Sequence, residues 1–168
     1  MGRRTFVLST GAAIAGSLST MGAGAVASEG TAKMPPFQGM MPIMATPVDA
    51  EYKVDIASQR RHVEYCIQSG AVAIGHFAYA SEFQKISDAD RSQLLDVVVE
   101  QVAGRIPFFA GVTGRTAVDT VRYAREAETR GADLIMVSLP FEEQLDPEST
   151  FTMFREIGSN VSLPIIIQ

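Results

Sequence analysis

The sequence predicts a parallel α/β fold, the opening part of a (β/α)8 TIM barrel, and three observations predict it. Five short apolar segments alternate with four segments that carry helix-capping signals. The apolar segments are apolar throughout rather than at every second residue, the pattern of parallel strands covered by helices. The chain also stops inside such a segment, Leu163–Gln168, with no helix behind it. The order fits an open doubly wound sheet or part of a barrel. A doubly wound domain of this size ends on a helix that covers its last strand, so the ending selects the barrel. A full barrel takes about 250 residues, so the 168 residues are expected to be a fragment holding about the first five strands and four helices.

The first apolar segment, Met40–Ala45, ends at Thr46-Pro47, and Pro42 inside it suits a strand start or an irregular approach. Asp49–Val54 is a polar turn. Asp55 caps a helix to about Ser69, in which Ile56, Val63, Cys66 and Ile67 share one face and Gly70 is the stop. Cys66 on that face reads as a small core hydrophobe. The next unit is the most complete. Ala71–Phe77 is a buried strand, Ala78–Ile86 a polar loop with Tyr79, Ser81 and Glu82, and Ser87 with Asp90 is a capping pattern that opens a helix over Asp88–Ala103. Leu94, Leu95, Val98 and Val102 form its stripe. His76 is either a core histidine facing the helices or a side chain facing the barrel interior.

Ile106–Ala110 is the third strand, followed by Gly111–Thr116, a loose glycine loop without the spacing of a phosphate-binding motif. Thr116 and Asp119 cap a helix to Arg130, with Glu126 and Arg130 as a favourable i,i+4 pair and Gly131 as the stop. Ala132–Leu139 is the fourth strand and Pro140–Leu145 a loop. Asp146 and Pro147 open a helix through Ile157, and Val161–Ile167 is the fifth strand.

Composition narrows the function. A hydrophobic fraction of 46% with 20% charged residues is globular, and a net charge of −5 with no basic face argues against nucleic acid. A single cysteine excludes an internal disulfide, and neither cysteine nor histidine shows metal-site spacing. In an α/β fold the chemistry collects at the carboxyl ends of the strands. Thr46 borders that end after the first strand, and Tyr79, Ala80 and Glu82 occupy the loop after the second.

Residues 1–27 stand apart. Arg3-Arg4-Thr5-Phe6-Val7-Leu8 resembles a twin-arginine export signal, and the Gly-, Ala- and Ser-rich run after it ends in Ala25-Val26-Ala27, the small-x-small form of a cleavage site. The expectation is a periplasmic or secreted protein, cleaved before Ser28, with no stable membrane anchor afterwards. Residues 28–38 form a lead-in, and 39–168 the barrel portion.

With the elements in order, the chain from about Phe37 to Gln168 resembles the dihydrodipicolinate synthase and N-acetylneuraminate lyase family. The resemblance rests on Pro42-Ile-Met-Ala-Thr46-Pro47, on Ala78-Tyr-Ala-Ser-Glu82 where the family has Gly-Thr-Thr-Gly-Glu, on Ile106-Pro-Phe-Phe-Ala-Gly111-Val, on Gly131-Ala-Asp133 with a strand ending in Pro140, and on Leu163-Pro-Ile-Ile-Ile. It implies a (β/α)8 barrel, a homo-oligomer (tetramer or dimer) at full length, and Schiff-base lyase chemistry on pyruvate, another 2-keto acid or a sugar acid without a separate cofactor. It also implies that the Schiff-base lysine comes from the sixth strand, beyond Gln168. The lysines present, Lys33, Lys53 and Lys85, all lie in polar segments. The family's two threonines are Tyr79 and Ala80 here, and Pro-Tyr-Tyr after the fourth strand is Pro140-Phe141-Glu142. Tyr79 and Glu142 are therefore the candidate catalytic residues, and Thr46, Tyr79, Ala80 and Glu82 the candidate substrate-binding residues. The backbone N–H groups of Tyr79 and Ala80 suit a substrate carboxylate. The altered loops also suit a second expectation, a non-catalytic exported barrel that binds a small carboxylate.

Overall fold

The computed structural model describes residues 38–140 and 144–168. The signal-like 1–27, the lead-in up to residue 37 and the candidate Glu142 lie outside the described residues.

Among the described residues four helices and four parallel strands alternate: α1 (Ile56–Gln68), β1 (Ile74–His76), α2 (Asp88–Val102), β2 (Phe108–Gly111), α3 (Ala117–Arg130), β3 (Leu134–Val137), α4 (Pro147–Asn160) and β4 (Ile165–Ile167). The capping residues read from the sequence start all four helices. Asp55 accepts from the Ser58 N–H at 3.0 Å, Ser87 from Asp90 at 3.1 Å, Thr116 from Asp119 at 3.2 Å and Asp146 from Ser149 at 2.7 Å. Each satisfies an amide that the first helical turn leaves without a partner.

Each strand pairs with its successor, in the order β1-β2-β3-β4. The register sets Ile74 beside Phe108, Phe109 beside Leu134, and Ile135 beside Ile165. A doubly wound sheet reverses its order at a switch point and carries helices on both faces; this sheet does neither. Helix residues Val63, Leu94, Val98, Ala124 and Ile157 join strand residues Ile74, Phe108, Ile135 and Val137 in one core on one face. The opposite face holds a separate small cluster of Ala73, Ala78, Phe109, Leu134 and Met136, flanked by Ile43 and Ile166. This is the arrangement of a barrel's opening strands, with helices outside and a second layer of side chains inside.

The strands are shorter than their apolar runs. The predicted first strand is a single parallel bridge, Ile43 to Gly75, extended by Met44 N–H to Gly75 O (2.8 Å) and Val72 N–H to Met40 O (3.0 Å). Pro42 has no N–H to give, so the ladder lacks a donor there. β1 stops at His76 because Phe77 takes φ +65°, a conformation unusual for a bulky residue. The loop after it is not irregular: two 3-10 turns, Tyr79–Ser81 and Phe83–Lys85, are joined by Glu82 in the left-handed region. Phe83, 7% exposed, anchors the second turn in the outer core.

Candidate functional site

The carboxyl ends of the strands gather Thr46, the Phe77–Lys85 loop, Val112–Gly114, Ser138 and Gln168 at one end of the sheet. The Phe77–Lys85 loop is the most strongly held of these. Ser81, fully buried, donates from Oγ to the Met44 carbonyl at 2.6 Å, and Thr46 donates from Oγ1 to the Ser81 carbonyl at 2.7 Å. Two hydroxyls, one from each side, thus clamp the loop to the edge segment.

From below, Phe77 is fixed by its neighbours. Its carbonyl oxygen would lie 2.2 Å from a Cβ on Gly111, so the two strand ends approach so closely that only glycine fits at 111. Arg91, 4% exposed, donates from Nη2 to the Gly111 carbonyl and lies between the rings of Phe77 and Tyr123, at 4.3 and 4.2 Å. Burial lowers its pKa to about 10, against the attraction of Tyr123, Glu126 and Asp88, so the guanidinium remains charged at neutral pH.

His76 is a core histidine facing the helices. The Phe77 N–H donates to its Nδ1 at 2.8 Å, which leaves the proton of the neutral ring on Nε2, 3.2 Å from Gln59 Oε1. Gln59 in turn donates to the Met44 sulfur at 3.6 Å. Burial, with Arg91 and His62 adding repulsion, lowers the His76 pKa to about 3. The imidazole is a neutral structural link and not a proton carrier at neutral pH.

The structure treats the predicted site residues differently. The N–H groups of Tyr79 and Ala80 open the first 3-10 turn and donate to no group among the described residues. The Tyr79 ring is half exposed and meets the edge of Phe83, centroids 5.4 Å apart. Thr46 commits its hydroxyl to the clamp. Glu82 is ion-paired with Lys85 at 3.1 Å. Thr46, Glu82 and Lys85 line one cleft of about 380 Å³ together with Tyr52 and Val54. Val54 belongs to the helix-side core, so this cleft opens beside the helices and not onto the inner face of the sheet. A second cleft, about 220 Å³, lies between the loop and α3 and is lined by Arg91, Asp88 and Tyr123.

The sequence reading missed three residues of the inner face. Alternation along β3 puts Ser138 on the side of Leu134 and Met136, and along β4 puts Gln168 on the side of Ile166. Thr113 joins them, accepting from the Ser138 N–H at 2.8 Å, and Ser138 Oγ donates to Gln168 Oε1 at 3.4 Å. The signal was the parity of Ser138 within the run Ala132–Leu139, which was read as uniform strand. Among the described residues no group of three or more His, Cys, Asp or Glu is placed to hold a metal ion, and no described lysine stands on the inner face. Lys53 is exposed in the turn before α1, and Lys85 is spent on Glu82.

Comparison with known proteins agrees with this geometry. The family model of the dihydrodipicolinate synthetase family matches residues 36–168. The 4-hydroxy-tetrahydrodipicolinate synthase of Rhizobium meliloti is 30% identical over 131 residues, which cover 78% of this chain and 45% of that protein. The crystal structure of dihydrodipicolinate synthase from Aquifex aeolicus superposes with a TM-score of 0.74 at 26% identity, over 78% of this chain and 44% of that one. A dihydrodipicolinate synthase from Acinetobacter baumannii, solved with pyruvate, shares the fold with a TM-score of 0.74 at 24% identity, over 77% of this chain and 45% of that one. The chain thus spans less than half the length of these relatives. With its strand order, its one-sided helices and this match, the chain belongs to the dihydrodipicolinate synthetase family.

Proposed function

We propose that the full-length protein is a Schiff-base lyase that cleaves or forms a carbon–carbon bond next to the keto group of pyruvate or another 2-keto acid. The observation that carries this reading is the pair of N–H groups at Tyr79 and Ala80, without a partner among the described residues, at the carboxyl end of β1 in a chain of this family. Two adjacent amides suit a carboxylate whatever their side chains. The pyruvate held by the Acinetobacter baumannii relative supports the same ligand class. In this reading a lysine from a strand beyond Gln168 attacks the keto carbon, water leaves, and the resulting iminium accepts the electron pair of the broken bond. An apolar interior such as Phe109, Leu134 and Met136 keeps an amine neutral by lowering its pKa. Tyr79 and Glu142 would carry protons.

Borohydride reduction of the full-length protein with pyruvate tests the reading. The expected result is a covalent adduct on one lysine, located by peptide mass, and no adduct without pyruvate. Failure to trap an adduct, with no turnover of any 2-keto acid, leaves the second reading: a non-catalytic barrel binding a small carboxylate. The altered loop sequences at Tyr79-Ala80 and Phe141-Glu142 favour that alternative. We further propose export through Arg3-Arg4-Thr5-Phe6-Val7-Leu8 to the periplasm or medium, and a homo-oligomer at full length. Fractionation of cells expressing the protein and its Arg3→Lys, Arg4→Lys variant tests the first, since the variant should stay in the cytoplasm uncleaved. Sedimentation tests the second.

A further inference from the structure

β1 and β2 separate one rung early, and a single side chain stands where they separate. The parallel ladder gives the Ile74 N–H to the Pro107 carbonyl at 3.0 Å. With Ile74 beside Phe108 and His76 beside Ala110, the same register would bring the Ala78 N–H to the Gly111 carbonyl. That rung is not made. Arg91 donates from Nη2 to the Gly111 carbonyl in place of Ala78, and the Ala78 N–H turns to Ser81 Oγ at 3.4 Å. The chain leaves the sheet at Phe77, whose φ of +65° is a strained conformation for a bulky residue and persists only where the surroundings over-determine it. Here they do. His76 Nδ1 accepts the Phe77 N–H at 2.8 Å, and the Arg91 guanidinium covers the Phe77 ring at 4.3 Å.

Arg91 is costly where it stands. It is buried, and its Nε has no hydrogen-bond partner among the described residues, so an apolar side chain of similar volume would pack there at lower cost. An apolar side chain could not occupy the Gly111 carbonyl. We propose that Arg91 is a positioning residue: by taking that carbonyl it ends the β1–β2 ladder and turns the Tyr79 and Ala80 N–H groups out of the sheet to meet the substrate carboxylate. The inference rests on the carboxylate reading of that turn given above. Arg91 acts through Gly111 and Phe77. Without it the Gly111 carbonyl accepts from Ala78, Phe77 relaxes to extended backbone, and the two amides move off the carboxylate.

The test uses Arg91→Met, which keeps an apolar stem without a donor, and Arg91→Lys, which keeps one donor without the planar stack between Phe77 and Tyr123. The full-length protein is titrated with pyruvate while the backbone amides of Tyr79 and Ala80 are followed by NMR. Half-saturating pyruvate should rise about tenfold in Arg91→Met and at least about threefold in Arg91→Lys. The rate of adduct trapping at saturating pyruvate should stay within about twofold of the wild type, the mark of lost binding rather than lost chemistry. The Ala78 amide should exchange about tenfold more slowly in Arg91→Met as it enters the ladder, the opposite of what a loosened core produces. If Arg91→Met does not fold, the Arg91→Lys titration decides alone. Unchanged half-saturation in the folded variants, or an Ala78 amide in Arg91→Met that exchanges as fast as in the wild type or faster, would overturn the assignment. An adduct in the wild type with unchanged half-saturation in the variants sinks the positioning role alone. Weakened pyruvate binding in the variants with no adduct in the wild type sinks the lyase reading alone.

Discussion

The two faces of the sheet are built from the same strands and do different work. On the outer face Ile74, Phe108, Ile135 and Val137 are at most 1% exposed and lie under four helices. On the inner face the neighbouring positions hold small residues and a thin cluster. Gly75 is there because a Cβ would strike the Phe109 ring at 2.1 Å. Its upper rim is polar, with Thr113 and Ser138 joined by a hydrogen bond. Stability is therefore concentrated on one parity of each strand, and ligand chemistry is left to the other. The sharpest test is a pair of adjacent truncations in β3. Ile135→Ala, on the outer face, should cost about 3–4 kcal/mol, and Met136→Ala, on the inner, about 1–2 kcal/mol, measured by denaturant unfolding of the full-length protein. Equal costs would break the comparison.

His76 gives the outer face a pH dependence. Its folded pKa of about 3 lies below its ordinary value of 6.5. Between those values the unfolded chain binds a proton that the folded one refuses, so stability is complete above 6.5 and falls as the pH drops. Each pH unit in that window is worth about 1.4 kcal/mol, so pH 6 to 4 should remove about 2–3 kcal/mol. His76→Leu should be less stable at neutral pH, because Phe77 N–H and Gln59 lose their partner, yet its stability should be flatter across that window. An unchanged slope would mean that carboxylates, not His76, set the acid response.

Between the faces sits the loop clamp. Ser81→Ala removes a buried hydroxyl that donates to the Met44 carbonyl and leaves that oxygen unsatisfied. The expected cost is about 1–2 kcal/mol, with faster amide exchange in residues 78–82 and no change in the helices. Uniformly faster exchange would mean that the clamp belongs to the global core and not to the site.

The features legible in the sequence were those decided locally. Asp55, Ser87, Thr116 and Asp146 cap helices through bonds three residues away, and all four were read correctly. The barrel followed from the uniformly apolar strands, and the one-sided helices carry it. Features set by distant partners were not legible. Arg91 and Gln59 look like solvent-facing helix residues, but the partners that hold them are the Gly111 carbonyl, two aromatic rings and His76. The early end of β1 depends on Phe77 fitting against Gly111, which no local pattern encodes. Position after a strand is the signal that nominates Tyr79, Ala80, Thr46 and Glu82 as candidates. That signal does not show that Ser81 and Lys85 engage the side chains of Thr46 and Glu82.

The smallest expected effect on stability belongs to the inner rim. Ser138 is half-buried, and its one side-chain donation, to Gln168, is long at 3.4 Å; its backbone N–H bond to Thr113 survives truncation. Ser138→Ala should therefore change unfolding free energy by less than about 0.5 kcal/mol, measured by denaturant unfolding of the full-length protein. A rim residue that matters little for folding is what the division between the faces requires. If Ser138→Ala instead destabilised the protein as much as Met136→Ala, the rim would be part of the packing, and the inner face would differ from the outer only in thickness.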